Sequence, residues 1–210
     1  MLTATVVFCA CIAYLLGSLN TAVIISKIAG SDIRNSGSGN AGATNVLRVM
    51  GKGAAVLVVI FDGLKGVAAA LLGKYAPQLF GVADPNSAAM LTSALAVVIG
   101  HIYPLYFGFR GGKGIMTSIA VIFVLDWEIG VILLVTCLAI MLLTRYVSLG
   151  SCIGAVLFPV LVLMFHEENG LFVFVSFAIA ALALFGHRKN IGRLIHGTES
   201  KLSFGSKHSA

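Results

Sequence analysis

From Met1 to Ser26 the chain carries no Asp, Glu, Lys or Arg, and between Asp84 and Arg110 it carries none for 25 consecutive residues. Crossing the hydrocarbon core of a bilayer takes roughly 20 mostly apolar residues in a helix, because only there is every backbone polar group satisfied without water. Runs of this kind therefore predict membrane helices and exclude an ordinary soluble domain. Composition points the same way: 59% of the 210 residues are apolar and 10% are charged, against about 25% charged in soluble domains. The length suits one compact helical bundle and leaves no space for a second soluble domain of usual size.

The spans follow from the breaks between charges. Leu2–Ser26 is preceded by no Lys or Arg, so it lacks the positive region of a signal peptide and predicts a retained helix. A second span runs from about Gly53 to Gly73 with Asp62 and Lys65 inside it, and a third lies between Asp84 and Arg110. Only 12 residues separate Lys113 from Asp126, and 16 separate Glu128 from Arg145. Helices four and five are thus short, and either cross the membrane or turn back as a re-entrant hairpin. The sixth span runs from Tyr146 to about Phe165 and the seventh from Gly170 to Gly186. The expected fold is an all-α polytopic membrane protein with seven transmembrane helices, or five if the short pair turns back. One domain over residues 1–199 would carry three polar loops, 37–48, 107–114 and 187–199, followed by a tail over 200–210.

Either count is odd, which puts the termini on opposite faces. With the N-terminus outside, twelve of the 14 Lys and Arg fall inside, Lys74 alone falls outside and Lys65 lies within a helix. That asymmetry is the positive-inside pattern and predicts a cytoplasmic C-terminus. It also accounts for the net charge of +6 without a nucleic-acid partner, since no basic segment is interleaved with aromatics. Cys9, Cys11, Cys137 and Cys152 lie in or beside apolar spans with no C-x-x-C pairing and are expected to be small buried hydrophobes. The five His residues show no metal-ligand spacing with Cys or carboxylates, so no metal is expected.

Three polar islands fall on the inner side of this topology. The first is Gly37-Ser38-Gly39-Asn40-Ala41-Gly42-Ala43-Thr44-Asn45 with Arg48. It contains G-x-G-x-x-G, but a membrane helix precedes it where a dinucleotide fold needs a strand. Alternating Gly, Ser and Asn instead suit an anion nest of converging N–H groups near a helix start; the bland alternative is a flexible loop. The second island, Phe107 to Gly114, crowds Gly111, Gly112 and Gly114 around Lys113. It fails as a Walker A loop, because Phe107 stands where Gly is required and Gly114 follows the lysine. It remains suited to phosphate, although Arg110 and Lys113 also serve as simple positive-inside anchors. In the third island, His187 to Glu199, helical spacing puts His187, Asn190 and Arg193 on one face; a basic segment resting on anionic headgroups is the alternative.

GSGNAGATN with Arg48, FGFRGGKG and HRKNIGRLIHGTE resemble, in order, the three cytoplasmic motifs of the bacterial membrane glycerol-3-phosphate acyltransferases that use acyl-phosphate as donor. Asp62-x-x-Lys65-Gly66 and Gly100-His101-x-x-Pro104 are similar to that family too, and the likeness runs from residue 1 to about 199. Ile115-Met116, where the family has a smaller pair, and Lys189 inside the third motif are the small departures. The resemblance implies transfer of a fatty acyl group from acyl-phosphate to the 1-hydroxyl of sn-glycerol 3-phosphate in the inner membrane, with no cofactor and no obligatory protein partner. By position Ser38, Gly39, Asn40, Thr44 and Ser151 are assigned to acyl-phosphate, and Arg48, Gly111, Gly112, Lys113, His187, Asn190 and Arg193 to glycerol 3-phosphate. Ser38, Lys113, His187 and Asn190 are the candidate catalytic groups; an acyl-enzyme on Ser38 is disfavoured because the donor is already activated. The base is either His187 or the leaving phosphate. Asp62 and Lys65, three apart on a membrane helix, are expected to give structural support, as is Glu199 by pairing with an arginine of its own island. A carrier for a phosphorylated small molecule is the competing class, against which the short, acidic outer loops weigh. A phosphotransferase acting on a CDP-activated lipid would want clustered Asp around Mg²⁺, and Asp62 stands alone.

Overall fold

A computed structural model describes residues 1–202, and these hold ten α-helices and no strand. Helix α1 (Leu2–Ser18) breaks at Leu19 and Asn20, whose side chain caps α2 (Thr21–Ile28) by accepting the Val23 N–H at 3.1 Å. A short 3₁₀ turn at Ile33–Asn35 leads through the first polar loop into α3 (Ala43–Met50). The long α4 (Lys52–Leu79) and then α5 (Ala88–Ile102) follow. The second polar loop precedes α6 (Ile115–Leu125); α7 (Trp127–Thr144), α8 (Val147–Phe165), α9 (Gly170–Gly186) and α10 (Arg188–Ile195) complete the chain.

Five stretches are long and apolar enough to cross a membrane: Leu2–Ile28, Lys52–Leu79, Ala88–Phe107, Trp127–Thr144 and Val147–Phe165. The pair α9 and α10, bent by 61° at His187, passes as a sixth, while α6 with 11 residues falls short. Two expectations from the charge breaks change. Helix four of the sequence is short, but helix five is not, because Asp126 caps α7 by accepting the N–H groups of Glu128 and Ile129 at 2.8 and 3.0 Å, which brings Trp127 and Glu128 into the helix. Likewise α4 continues past Gly73 through Lys74 to Leu79. The charges there sit at a helix end rather than beyond it.

Small residues set how closely the helices approach. Where α1 crosses α5, a Cβ on Gly17 would stand 2.9 Å from the Val97 carbonyl carbon, and one on Gly100 would stand 3.0 Å from the Gly17 Cα. Lipid supplies no hydrophobic drive between helices, so contact of this kind, backbone against backbone, is what joins them. The main core gathers Ala69, Val97, Val121, Leu133, Phe158 and Val175 from the bundle. A second, smaller core of Ala22, Val23, Ile33, Ala41, Val46 and Val58 lies under the first polar loop and seats it on α2, α3 and α4. Of the four cysteines, all free, Cys9 and Cys137 are buried as expected, whereas Cys11 is exposed on α1 and Cys152 is half-buried. The expected boundary after residue 199 is also softer: Leu202 N–H donates to Arg145 O at 2.8 Å, and Lys201 Nζ lies 5.4 Å from the centre of the Tyr146 ring. The rest of the tail, 203–210, is outside the described residues.

Candidate active site

The first polar loop is organised by a residue that site assignment by charge passes over. Asn45, 1% exposed, donates from Nδ2 to the carbonyls of Ile33, Ser36 and Asn40 at 3.2, 3.0 and 3.1 Å and accepts the Ser38 N–H at 2.8 Å. Four backbone groups of one turn thus converge on a single amide. Gly37, at φ 59°, passes so close to it that a Cβ would overlap the Asn45 side chain. With the loop held in this way, the N–H groups of Asn40, Ala41, Ala43 and Thr44 make no hydrogen bond among the described residues, and α3 starts at Gly42 without a side-chain cap. Ser38, Thr44 and Arg48 are exposed and their side chains likewise unbonded. Free amides at a helix start beside two hydroxyls are groups with the chemistry to receive an anion.

The second loop is laid against α5. Gly111 N–H donates to Ile102 O at 3.1 Å and Gly112 N–H to His101 O at 3.2 Å. Gly111 and Gly112, expected to cradle phosphate, thus spend these two amides on α5 and allow the loop its close approach. A Cβ on Gly112 would stand 2.6 Å from Ala41 O and overlap His101 Nε2, so this residue is where the first and second loops touch. Arg34 ties them again, donating from one guanidinium nitrogen to Phe107 O at 2.7 Å and Arg110 O at 3.3 Å. Asp32 holds Arg34 in turn through a 2.7 Å ion pair, and the guanidinium pushes the Asp32 carboxyl down to about 2.

Beneath the two loops lies a buried polar cluster. Asp62 pairs with Lys65 at 2.9 Å and accepts from Thr21 Oγ1 at 3.1 Å, while Lys65 Nζ also donates to Leu19 O at 2.9 Å across the break between α1 and α2. Thr117 Oγ1 donates to Asp62 O at 3.1 Å and sits 3.4 Å from His101 Nδ1. The pair expected to be structural thus ties α2 and the break between α1 and α2 to α4, and Thr117 brings the start of α6 and His101 of α5 against the same point.

The third island completes the site. Lys113 Nζ donates to Asn190 Oδ1 at 2.5 Å, Asn190 Nδ2 donates to Glu199 Oε1 at 2.6 Å, and Arg193 Nε donates to Glu199 Oε2 at 2.6 Å. Ser148 Oγ adds a third bond to Glu199 at 2.7 Å, which makes this carboxylate the hub that fixes α10 against α8. Burial raises the Glu199 carboxyl, but the hydrogen bonds from Asn190, Ser148 and Arg193 outweigh it and hold its pKa below the usual value. Burial, with Arg193 nearby and Glu199 opposing, pushes the Lys113 ammonium down to about 8. His187, 3% exposed at the bend between α9 and α10, has Nδ1 at 2.8 Å from Ala183 O. A carbonyl only accepts, so Nδ1 carries the proton, and in the neutral ring Nε2 keeps its lone pair. Ser151 is directed elsewhere: its hydroxyl donates to Val147 O at 3.0 Å and it lines an apolar cavity.

Lys113, Asn190, Arg193 and Glu199 are therefore joined through hydrogen bonds, whereas the loop of Ser38, Asn40, Thr44 and Arg48 is linked to the second island through Arg34, the contact of Ala41 with Gly112 and the packing of Phe107 on the small core. Among the described residues no three His, Cys, Asp or Glu side chains come together as metal ligands. The site offers ammonium, guanidinium, free amides and an imidazole lone pair at one end of a helical bundle. Over residues 7–197 the sequence matches the family described as glycerol-3-phosphate acyltransferase.

The chain belongs to that family. A glycerol-3-phosphate acyltransferase of Thermoanaerobacter pseudethanolicus is 50% identical over 197 residues, covering 93% of this chain and 95% of that one. The enzyme of Shouchella clausii is 44% identical over 214 residues, covering 99% and 98%. Among solved structures, the integral membrane glycerol 3-phosphate acyltransferase PlsY (YgiH) in its glycerol 3-phosphate form superposes with a TM-score of 0.85 at 38% identity, covering 94% of this chain and 96% of that one. The form of the same acyltransferase with lysophosphatidic acid gives 0.82 at 37%. The family fold is thus an integral membrane helical bundle, and the first two islands and residues 187–197 of the third lie within the span matched by the family.

Proposed function

We propose that this acyltransferase moves a fatty acyl group from acyl-phosphate to the 1-hydroxyl of sn-glycerol 3-phosphate, giving 1-acylglycerol 3-phosphate and inorganic phosphate, the first acylation of phospholipid synthesis. The observation that carries it is the juxtaposition of two anion-binding settings: the free amides at the start of α3 with Ser38, Asn40 and Thr44, and the Lys113, Asn190 and Arg193 group. Two phosphate-bearing substrates repel one another, and bringing their reacting atoms together requires cations and fixed N–H dipoles on both. The first setting takes the donor phosphate; Lys113, Arg193 and Arg48 take the acceptor phosphate.

His187 then faces the acceptor hydroxyl with Nε2. As the hydroxyl oxygen attacks the acyl carbon, Nε2 takes its proton, the bond from the acyl carbon to the phosphate oxygen breaks, and the proton passes to the leaving phosphate. Asn190, held by Glu199, orients Lys113 and the acceptor. Residues 1–199 form the catalytic domain, with helices six and seven of the expected bundle being α8 and α9. In this reading the chain crosses a bacterial inner membrane seven times, with α6 as a half-length crossing joined to α7 at Asp126; the charge asymmetry supports an outside N-terminus and a cytoplasmic site. Single cysteines introduced at Ser200 and at Asn169 in a cysteine-free background report the topology: from intact cells an impermeant maleimide is expected to label only the second.

The donor is tested with purified protein given palmitoyl-phosphate, palmitoyl-CoA or palmitoylated acyl carrier protein in turn with glycerol 3-phosphate. Product from palmitoyl-phosphate alone is the expected result; product from the thioesters alone overturns the donor assignment. Glycerol 3-phosphate uptake into vesicles without acylation would replace the enzyme by a carrier.

A further inference from the structure

Between α6, α7, α8 and α9 lies a small apolar cavity of about 40 Å³. Ser118, Ser151 and Ala183 line it at the end nearest the site, and Leu133 and Phe158 at the other. The Ala183 carbonyl holds His187 Nδ1, so the cavity backs onto the imidazole, and Ser118 follows Lys113 by five residues in the chain. Along α8 from Ser151 to Phe158 it runs about 10 Å at the helical rise per residue. Its side chains are apolar apart from Ser118, Ser151 and the Cys137 thiol. The last two are spent: Ser151 Oγ donates to Val147 O at 3.0 Å, and Cys137 Sγ to Gly150 O at 3.3 Å.

Ser118 is different. The residue is 6% exposed and its Oγ, fully buried, has no hydrogen-bond partner. A helical serine commonly returns its hydroxyl to the carbonyl four residues back; that carbonyl, Gly114 O, already takes the Ser118 N–H at 2.7 Å and the hydroxyl does not join it. Buried polar groups are satisfied in the great majority of folded proteins, and an exception in a cavity beside a reactive site calls for an acceptor that arrives from outside.

We propose that Ser118 Oγ donates a hydrogen bond to the acyl carbonyl oxygen of the donor and, after transfer, to the ester carbonyl of the product. Beyond its phosphate an acyl-phosphate carries one polar group, the carbonyl, and then only methylenes. The residues lining the cavity follow the matching order: Ser118, whose buried hydroxyl has no partner, at the site end, and apolar side chains past it. When the acceptor oxygen adds to the carbonyl carbon, the carbonyl oxygen takes up negative charge, and a donor already in place stabilises it more than the ground state. This role rests on the acyl-transfer reading of the site.

Ser118→Ala tests it. In the variant kcat with palmitoyl-phosphate is expected to fall about 10²-fold, the range for loss of one such donor, with KM for glycerol 3-phosphate unchanged, and Ser118→Thr is expected to recover most of the rate. The discriminating readout is inhibition by two ligands of equal chain length: the 1-acyl product, which has an ester carbonyl, and the 1-alkyl ether of glycerol 3-phosphate, which lacks it. Affinity of the ester is expected to fall about fivefold, the worth of one neutral hydrogen bond, while that of the ether holds. Equal loss for both ligands, or an unchanged kcat, overturns the proposal. Wild-type protein that turns over no acyl-phosphate overturns the acyl-transfer reading itself, and this role with it.

Discussion

In the proposed site Lys113 meets phosphate as an ammonium, and burial makes that ammonium harder to keep charged. With its ammonium pushed down to about 8, the free enzyme holds the proton below that pH and loses it above. Bound phosphate favours the charged form, so KM for glycerol 3-phosphate is expected to be flat to about pH 8 and to rise about tenfold per unit beyond, as measured by initial rates from pH 6 to 10. A flat KM to pH 10 would mean that Lys113 does not meet the phosphate. His187→Gln is expected to lower kcat by 10²- to 10⁴-fold, the range for a general base; retention within about tenfold would hand the proton to the leaving phosphate. Lys113, His187, Asn190, Arg193 and Glu199 were legible in the sequence because charge and amide are conspicuous in a chain with so little of either. Asn45 and Arg34 were not singled out, although both stand in or beside the first island: their work is to bond backbone carbonyls, and which carbonyl a side chain will meet is set by the turn, not by the residue type.

The loops behave as elements because each is closed by a few bonds. In Asn45→Ala three carbonyls lose their donor, and a stability loss of about 1–3 kcal/mol is expected from thermal unfolding in detergent, with a raised KM for acyl-phosphate. Unchanged stability would show that water replaces the amide and that the loop is not built on it. Gly112→Ala is expected to abolish turnover, since Ala41 O and the His101 ring lie where its Cβ would be and neither is the loose end of a flexible side chain. The element boundaries were readable where apolar runs end in charge, and misread where a charge belongs to the helix. Asp126 was counted as the close of one span, yet its carboxylate caps the next and so lengthens it. The shortness of α6 was readable from the spacing of Lys113 and Asp126; the folding of the second loop back along α5 was not, because a backbone pairing leaves no mark in composition.

At the scale of the whole molecule, the buried cluster around Asp62 decides whether the loops above it are held in place. Removing one partner strands a charge among apolar helices: Asp62→Ala or Lys65→Ala is expected to cost about 3–5 kcal/mol, while the double variant costs much less than the two summed. A double-mutant cycle by thermal unfolding measures this, and additive losses would show that the two charges are independent. The bundle was visible from its apolar runs, and the placing of all three islands at one end from their spacing between them; the second small core under the first loop was not, because it mixes residues from α2, the 3₁₀ turn, the loop itself, α3 and α4. The central claim is that these islands make one site for acyl transfer between phosphates. It is tested most directly by following inorganic phosphate released from palmitoyl-phosphate by purified protein in detergent with EDTA present, with and without glycerol 3-phosphate. Release that requires glycerol 3-phosphate and is lost in Lys113→Ala is the predicted result; folded protein that releases none, or releases it equally without the acceptor, would contradict it.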